Sequence, residues 1–461
     1  MMMKTIACVI LVALCGACGG DDESCDPLAQ TGCGDGLTCE EVVDGEPTCF
    51  APVVVEGRVF DFTDDAAIAG ATVVGLDVNG AATTAVAASD AQGGYALQVP
   101  MPRAADGTPI AGRAITLRAD AADYLTFPSG VRPALPVDLS TPLLTDGRYV
   151  VRSALTDLGL LPRPAGPATG MIHGRAATNS TRASVLVVAE AGAARGVTAV
   201  ADRDGDYRMF NLPAGSYQIS GYAKGHTYTT RTVDVAAGAD VEVDLEVDPS
   251  RAASSVSGSV QLVNPQRGTA TSVILVVEST FDDRLVRGET PAGLRAPGAG
   301  LVPDVTGAFR IDGVPAGRYV VLAAFENDFL VRDASSIGGT AIVRQTVTAG
   351  QDVALADSFK VTGALDIVGP GADGAEMITG TPTLRWVDDS SEDRYDVTVF
   401  DAYGTAIWEH TEPSGARDPA VVYAGPALQS GMYYQFRVRS IKDPDEELSR
   451  TEDLRGVFYL P

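Results

Sequence analysis

The chain has 461 residues, enough for roughly three to five domains of ordinary size. It carries 34 lysine and arginine residues against 60 aspartate and glutamate residues, which gives a formal net charge of -26. A surface this acidic repels phosphate groups, so we expect no nucleic-acid partner and no direct adhesion to anionic lipid headgroups.

Residues 1–17 are predicted to be a targeting segment rather than part of the fold. Lys4 precedes an apolar run at residues 6–17, which is shorter than the roughly 20 residues of a membrane-spanning helix. The run leads into the sequence LCGAC at 14–18, which resembles the lipobox of bacterial lipoproteins. In that family the final cysteine, here Cys18, is lipidated and becomes the mature N-terminus. The lipobox usually has leucine where this chain has Cys15, and an ordinary cleaved signal peptide is the alternative.

The lipobox resemblance implies a location as well as a modification. In that family an aspartate after the lipidated cysteine retains the protein in the inner membrane, and this chain has Gly19 at that position. The implied location is therefore the outer membrane, with the protein facing the periplasm or the cell surface. The acyl chain at Cys18 would be its only contact with the membrane.

Residues 18–50 are predicted to form a small cysteine-rich stalk. The stretch is rich in glycine and aspartate and holds Cys25, Cys33, Cys39 and Cys49, and no cysteine follows. A segment with so few core-forming residues needs covalent staples, which an exported protein can form. We expect two disulfides in one of three possible pairings. A zinc site is the alternative, although the segment lacks a close Cys-x-x-Cys pair.

The rest of the chain is predicted to be all-β, as tandem β-sandwiches. Residues 241–247 and 433–440 both alternate between apolar and polar side chains, which is typical of strands with one buried face and one solvated face. In the second segment Tyr434 and Phe436 are expected to face inward and Gln435 outward. We find no pattern of a long amphipathic helix.

One motif occurs twice. GDYRMFNLPAGSY at 205–217 returns as GAFRIDGVPAGRY at 307–319, with each matched position 102 residues later. Aspartate and glycine at its start favour a turn, the alternating residues favour a strand, and the Pro-Ala-Gly segment favours a second turn into the next strand. The repeat therefore predicts the same fold built twice.

The repeated motif resembles the carboxypeptidase regulatory-like domain, a transthyretin-like β-sandwich. The resemblance identifies two copies at 169–248 and 255–358, and a divergent first copy at 51–163 that lacks the Pro-Ala-Gly-x-Tyr turn. Members of this family are generally non-catalytic modules, and some relatives of the sandwich bind starch-like glycans.

Residues 360–461 resemble a fibronectin type III domain. The resemblance rests on Trp386 in an early strand and on Tyr434 six residues after Leu428. In that family the tyrosine hydroxyl bonds a backbone group near the turn, which is a structural role. Trp386 and Trp408 are both expected in the core of this domain.

The chain is predicted not to be an enzyme and to need no cofactor or metal. Its three histidines, His173, His226 and His410, fall in three different places, and neither His-Glu-x-x-His nor Gly-x-Ser-x-Gly occurs. The acidic stretch 202–206 matches half of a calcium loop, but its glycine comes one position early and no glutamate closes it, so a turn is predicted. A hydrolase with an unrecognised site is the second alternative.

Together these patterns predict a non-catalytic, lipid-anchored cell-envelope protein. Tandem sandwiches with short linkers favour reach over a pocket, and the expected partner is an envelope protein or a polysaccharide. The first alternative is a carbohydrate-binding surface protein. Its candidate contacts are Tyr222 and Tyr228, which flank Lys-Gly-His in a segment expected to be an exposed loop, because sugar rings stack on flat aromatic surfaces.

Overall fold

The structure is a computed structural model, and the prediction of an all-β chain is confirmed. Within the described residues the backbone forms 36 strands and short 3-10 turns at Ala154–Thr156 and Glu278–Thr280. No helix in these residues is long and apolar enough to cross a membrane. The structure describes residues 25–27, 31–77, 79–110, 114–129, 132–139, 142–176, 184–202, 204–262, 271–284, 287–298, 304–325, 342–361, 363–389 and 392–461.

A two-stranded hairpin comes first. Strands β1 (Thr38–Glu40) and β2 (Thr48–Phe50) pair antiparallel, with Cys39 opposite Cys49. The hairpin leads directly into the first sandwich.

The first sandwich, residues 53–160, packs two sheets around a core of valine and leucine side chains. Its opening strand β3 pairs antiparallel with β6 and parallel with β10 and β11, and β9 pairs with β10 at the edge. The facing sheet has the order β5-β4-β7-β8. The strands are β3 (Val53–Asp61), β4 (Thr72–Leu76), β5 (Ala87–Ala88), β6 (Gly94–Val99), β7 (Ala114–Asp120), β8 (Val137–Asp138), β9 (Leu143–Thr145), β10 (Arg148–Val151) and β11 (Leu158–Leu160).

The second sandwich, residues 170–242, has the same plan. Its opening strand β12 pairs antiparallel with β15 and parallel with β19, and the facing sheet has β13 and β16 at its centre. The strands are β12 (Gly170–Arg175), β13 (Leu186–Glu190), β14 (Val197–Val200), β15 (Asp206–Leu212), β16 (Gly215–Ala223), β17 (His226–Thr227), β18 (Arg231–Val235) and β19 (Asp240–Glu242).

The third sandwich, residues 254–361, repeats the plan again. Its opening strand β20 pairs antiparallel with β23 and parallel with β26 and β27. The facing sheet has the order β22-β21-β24-β25. The strands are β20 (Ser254–Leu262), β21 (Thr271–Val277), β22 (Arg295–Ala296), β23 (Ala308–Val314), β24 (Gly317–Phe325), β25 (Val343–Val347), β26 (Val353–Ala354) and β27 (Phe359–Val361).

A glycine on the opening strand marks all three of these sandwiches. The glycine lies opposite an aromatic residue on the antiparallel neighbour, and at the third sandwich's glycine an added Cβ would lie only 2.8 Å from the facing ring. In the first two sandwiches the added Cβ would instead lie closest to a backbone carbonyl oxygen, 1.9 Å from that of Thr156 at Gly57 and 2.1 Å from that of Val243 at Gly174, so none of the three positions has room for a side chain. The pairs are Gly57–Tyr95, Gly174–Tyr207 and Gly258–Phe309.

A second contact explains the repeated Pro-Ala-Gly-x-Tyr segment. The Tyr217 hydroxyl donates to the carbonyl oxygen of Pro213 at 2.7 Å, and the Tyr319 hydroxyl donates to that of Pro315 at 2.9 Å. In each copy the tyrosine closes the turn that connects two strands on opposite sheets. The motif is thus a structural device that recurs.

The fourth sandwich, residues 367–459, has a different strand order. The sheet β28-β30-β33 faces the sheet β29-β36-β34-β31-β32, and β35 pairs with β34. Trp386 is buried in its core as expected, whereas Trp408 is half-buried at the core's margin. The backbone N–H of Gln429 donates to the Tyr434 hydroxyl at 2.8 Å. The strands are β28 (Ile367–Gly369), β29 (Glu376–Met377), β30 (Thr383–Trp386), β31 (Arg394–Asp401), β32 (Ala406–Pro413), β33 (Ala420–Val422), β34 (Tyr433–Lys442), β35 (Glu446–Arg450) and β36 (Val457–Tyr459).

Candidate functional site

The predicted lipidation residue, Cys18, lies outside the described residues. The other four cysteines form the disulfides Cys25–Cys39 and Cys33–Cys49, so the expectation of two disulfides is confirmed. Three of their sulfur atoms lie within 4.8 Å of one another, as a metal site would also require. Sulfur atoms that are bonded to each other offer no thiolate, so the zinc alternative loses its ligands.

The cysteine-rich segment does not form a separate stalk, because a buried ion pair fixes its hairpin to the first sandwich. Arg103 and Glu40 form this pair, and each side chain is 1% exposed. The guanidinium also donates to the carbonyl oxygen of Ala51 at 2.8 Å and lies over the ring of Phe50. Burial raises the pKa of the Glu40 carboxyl, and Arg103 opposes that shift. The prediction of a separate stalk did not include this docking, because a cysteine pattern does not indicate which surface of the protein packs against the segment.

The expectation that Tyr222 and Tyr228 are exposed is wrong. Lys224 and Gly225 form a two-residue turn between β16 and β17, so both tyrosines belong to a hairpin rather than to a long loop. Tyr222 is 6% exposed and packs edge-to-face on Tyr319 of the third sandwich. Tyr228 is 3% exposed and lies in the core of the second sandwich. Neither ring offers a free face on which a sugar could stack.

The three histidines do not come together. Nδ1 of His173 lies 2.6 Å from Asp240 on the second sandwich, and Nε2 of His410 lies 3.1 Å from Glu412 on the fourth. His226 is in β17, half-buried. Each histidine therefore lies on its own strand, and no two of them share a site.

The described residues of the acidic stretch 202–206 belong to a turn, as expected. One carboxylate oxygen of Asp202 accepts hydrogen bonds from the backbone N–H groups of Asp204 and Asp206, both at 2.9 Å. Burial raises the pKa of this carboxyl, and the two amides oppose the shift. The carboxylate thus stabilises its own loop.

The most distinctive polar cluster lies where the first three sandwiches meet. Arg118 of β7 is 4% exposed and pairs with Asp120 on its own strand and with Glu289 of the third sandwich, both at 2.8 Å. It also donates to the Thr198 hydroxyl of the second sandwich at 2.9 Å. Burial lowers the pKa of Arg118, but Asp120 and Glu289 raise it, and the net shift is upward. One guanidinium therefore binds groups from three sandwiches.

Asn211 makes a second contact of the same kind. It has a positive φ of 63°, which asparagine tolerates better than most residues. Its side-chain amide donates to the carbonyl oxygens of Ala121 and Tyr124 in the first sandwich, and its side-chain oxygen accepts from the Asp123 amide, all at 2.8 Å. The three bonds fix the end of β15 to a loop of the neighbouring sandwich.

The fourth sandwich folds back onto the first. Tyr403 packs against Phe60 and Phe62, with ring centroids 5.7 and 5.5 Å apart, and its carbonyl oxygen accepts from Arg132 at 3.1 Å. Ala402 is part of the core cluster of the first sandwich. The expectation of sandwiches strung out for reach is therefore wrong, because the last unit contacts the first and closes the assembly.

A narrow crevice opens beside the Arg118 junction. Leu76 of the first sandwich, Leu186 and Val200 of the second, and Glu289 and Thr290 of the third line it. Its volume of about 10 Å³ admits roughly one water molecule. The crevice is too small to hold a substrate.

The residues that join the sandwiches were not identified from the sequence. Arg118 lies in an alternating strand, where an arginine ordinarily faces solvent, and the repeat does not identify Asn211, because its other copy has Gly313 at the matched position. A signal existed only for Asn211, since a strand-terminal asparagine before Leu-Pro favours an unusual backbone angle.

No family model matches the chain, and no curated protein matches it. Among solved structures, it is similar to a type II cohesin–X-dockerin complex from Acetivibrio cellulolyticus, with 21% identity over 16% of this chain and a TM-score of 0.13; the match spans 51% of that chain. It is similar to a minor pilin of Streptococcus agalactiae, with 12% identity over 42% of this chain and 97% of that chain and a TM-score of 0.19. Two B repeat units of the collagen-binding protein of Staphylococcus aureus show 12% identity over 87% and 99% of the two chains, with a TM-score of 0.17. Similarities this low carry no conclusion about function, and the all-β fold rests on the strand pairing itself.

Proposed function

We propose that this chain is a non-catalytic, lipid-anchored protein of the cell envelope, whose packed sandwiches present one fixed surface to an envelope protein or a polysaccharide. In this proposal the first three sandwiches are carboxypeptidase regulatory-like domains and the fourth is a fibronectin type III-like domain. Cys18 carries the acyl anchor, and the protein resides in the outer membrane.

The observation that supports the proposal most is the use of the buried polar side chains. Arg103, Arg118 and Asn211 each join one structural unit to another, through bonds that leave little of the side chain free for a substrate. Enzymes instead converge polar groups on a cleft. The histidines are dispersed, and the crevice beside Arg118 is too small for chemistry on a substrate.

The anchor is tested in the cell that makes the protein. Metabolic labelling with a fatty acid should label the wild-type protein, and globomycin, which blocks lipoprotein signal cleavage, should accumulate the precursor. Cys18→Ala should lose both the label and retention in the membrane fraction. Cys15→Leu, which restores the usual lipobox residue, is the control and should keep both. Membrane retention of the Cys18→Ala protein would contradict the anchor.

The non-catalytic role is tested separately. The purified mature protein is incubated with peptide and glycan libraries, and we expect no turnover. Cross-linking in intact cells, followed by mass spectrometry, should recover an envelope component attached to the sandwiches. Turnover of any library member that is lost on denaturation would contradict the proposal.

A further inference from the structure

Exposed large apolar side chains gather at the end of the first sandwich where the hairpin docks. Leu143 and Leu144 of β9 are 74% and 66% exposed, and Leu37 and Val43, which flank β1 in the hairpin, are 44% and 51% exposed. We call these four residues the hairpin pole. Single exposed leucines are common on protein surfaces, but two adjacent ones at the edge of a sheet are unusual.

Arg103 shows that the hairpin and β9 lie side by side. Its guanidinium lies over the ring of Phe50 in β2 at 5.1 Å and over the ring of Tyr149 in β10 at 5.5 Å. Tyr149 is in turn directly opposite Leu144 in the β9–β10 pair. The Val43 amide donates to the Arg103 carbonyl oxygen at 2.9 Å. The apolar residues of the hairpin and of β9 thus belong to one end of the molecule.

The form of β9 favours a fluid apolar partner. The strand is Leu-Leu-Thr, at the edge of its sheet, and the following turn at Asp146 and Gly147 has positive φ at both residues, as in tight hairpins. Leu143 and Leu144 are consecutive in a strand, so they point to opposite faces of the hairpin. A flat protein surface could cover only one of them, whereas lipid acyl chains can surround both.

The position of the anchor brings a bilayer to this pole. The described chain begins at Cys25, which is bonded to Cys39 in the docked hairpin. Six residues lie between Cys18 and Cys25, and this stretch of chain can span at most about 25 Å. If Cys18 is acylated, Cys25 therefore cannot be farther than that from the membrane, which keeps the docked hairpin close to the bilayer.

We propose that the hairpin pole lies against the bilayer as a second membrane contact besides the acyl chain, with Leu143 and Leu144 inserted among the outer parts of the lipid acyl chains. This inference rests on the proposed acylation of Cys18. Asp44 and Glu41 lie beside Val43, and Asp146 lies at the tip of the β9–β10 turn, so anionic headgroups would repel this end. The contact is therefore with zwitterionic lipid, and it orients the four sandwiches relative to the membrane.

The test supplies the anchor chemically, so that it does not depend on acylation in the cell. The mature chain beginning at Cys18 has one free thiol there, which is coupled to a maleimide lipid in phosphatidylcholine vesicles. Thr145→Trp places a tryptophan beside the two leucines, and brominated phosphatidylcholine quenches tryptophans that reach the acyl region. Val422→Trp, at an exposed position of the fourth sandwich, is the matched control. The unsubstituted chain gives the background from Trp386 and Trp408.

We expect quenching of the tryptophan at position 145 to exceed that at position 422 at least about twofold. The added substitutions Leu143→Ser and Leu144→Ser should abolish the difference, and anionic vesicles should reduce it. Equal quenching at the two positions, on vesicles that hold the protein, would overturn the inference. So would a dimer in solution that the two serine substitutions dissociate, since the pole would then bind a second copy. Failure of acyl labelling in the cell would instead contradict the proposed anchor. It would not affect the quenching result, because the maleimide lipid supplies the anchor in that experiment.

Discussion

Arg118 of the first sandwich and Glu289 of the third form an ion pair at 2.8 Å, and the Arg118 side chain is 4% exposed. The same guanidinium bonds Thr198 of the second sandwich. Burying a charge is unfavourable unless its partners are held in place. The contact therefore requires the three sandwiches to keep one relative arrangement, and the stability of the whole chain should depend on it.

The first prediction concerns this junction. Arg118→Ala should lower the free energy of unfolding by about 3 kcal/mol, because it leaves Glu289 and Asp120 without their cation. The matched control is Arg195→Ala. It removes a different ion pair, which Arg195 of the second sandwich forms with Asp282 of the third. That arginine is exposed, so its loss should cost less than about 1 kcal/mol. Urea unfolding measures the free energy of unfolding of the two variants. Equal losses relative to the wild type would contradict the role of Arg118.

The second prediction concerns the docked hairpin. Glu40→Gln should cost about 3–5 kcal/mol, because Arg103 is then buried without a charge partner. Replacing both, as Glu40→Leu with Arg103→Met, should recover much of that loss, since apolar side chains of similar size do not need desolvated charges. Limited proteolysis of residues 25–50 reports whether the hairpin detaches. A double variant less stable than Glu40→Gln would contradict this explanation, because the ion pair would then stabilise the protein by more than neutralising the charge of Arg103.

The third prediction tests the glycine that marks the repeated sandwiches. An added Cβ at Gly57 would lie 1.9 Å from the carbonyl oxygen of Thr156, so Gly57→Ala should lower the free energy of unfolding by roughly 3 kcal/mol or more. Gly307→Ala is the control, because no heavy atom lies within 4 Å of its added Cβ. A thermal melt compares them. A Gly57→Ala protein as stable as Gly307→Ala would show that the close approach is not maintained in solution.

The fourth prediction concerns acid stability. The Asp61 carboxylate accepts from the amide and the hydroxyl of Thr63 and from the hydroxyl of Tyr124, and these bonds lower its pKa below the usual 3.8. Because the folded-state pKa is lowered, the stability that Asp61 contributes is present above pH 3.8 and is lost as the pH falls through the folded value.

Urea unfolding between about pH 2 and pH 5 measures this contribution. The loss of unfolding free energy on acidification should be smaller in Asp61→Asn than in the wild type, because the variant has no carboxyl to protonate. Tyr124→Phe removes one of the three donors and should give an intermediate slope. Identical slopes in the wild type and Asp61→Asn would rule out a perturbed Asp61.

The sequence was informative about strands, because alternation and turn residues act locally. The motif at 205–217 predicted two strands and the turn between them, and Tyr434 and Phe436 face inward as their alternation indicates. Contacts between sandwiches involve residues far apart in the chain, and no local pattern encodes them. The local pattern therefore predicts a loop residue at Tyr222, which instead packs between two sandwiches.

Gln435 shows the same limit at a single position. Its place in the alternation predicts exposure, yet it is 0% exposed. Its side-chain amide donates to the carbonyl oxygens of Asp453 and Arg455, at 2.6 and 2.7 Å. A polar residue can be buried when a neighbouring loop supplies its hydrogen-bond partners, and the identity of that loop depends on the complete fold.

Small-angle X-ray scattering of the mature chain in solution tests most directly whether the four sandwiches form one packed body. A compact arrangement of a chain this long predicts a radius of gyration of about 22–26 Å, and Arg118→Ala should increase it. Four sandwiches strung end to end would give more than about 40 Å. A value near 25 Å for the wild type is the result that the contacts of Arg118, Asn211 and Tyr403 predict. A value above 40 Å would contradict the packed body and the fixed surface that it presents.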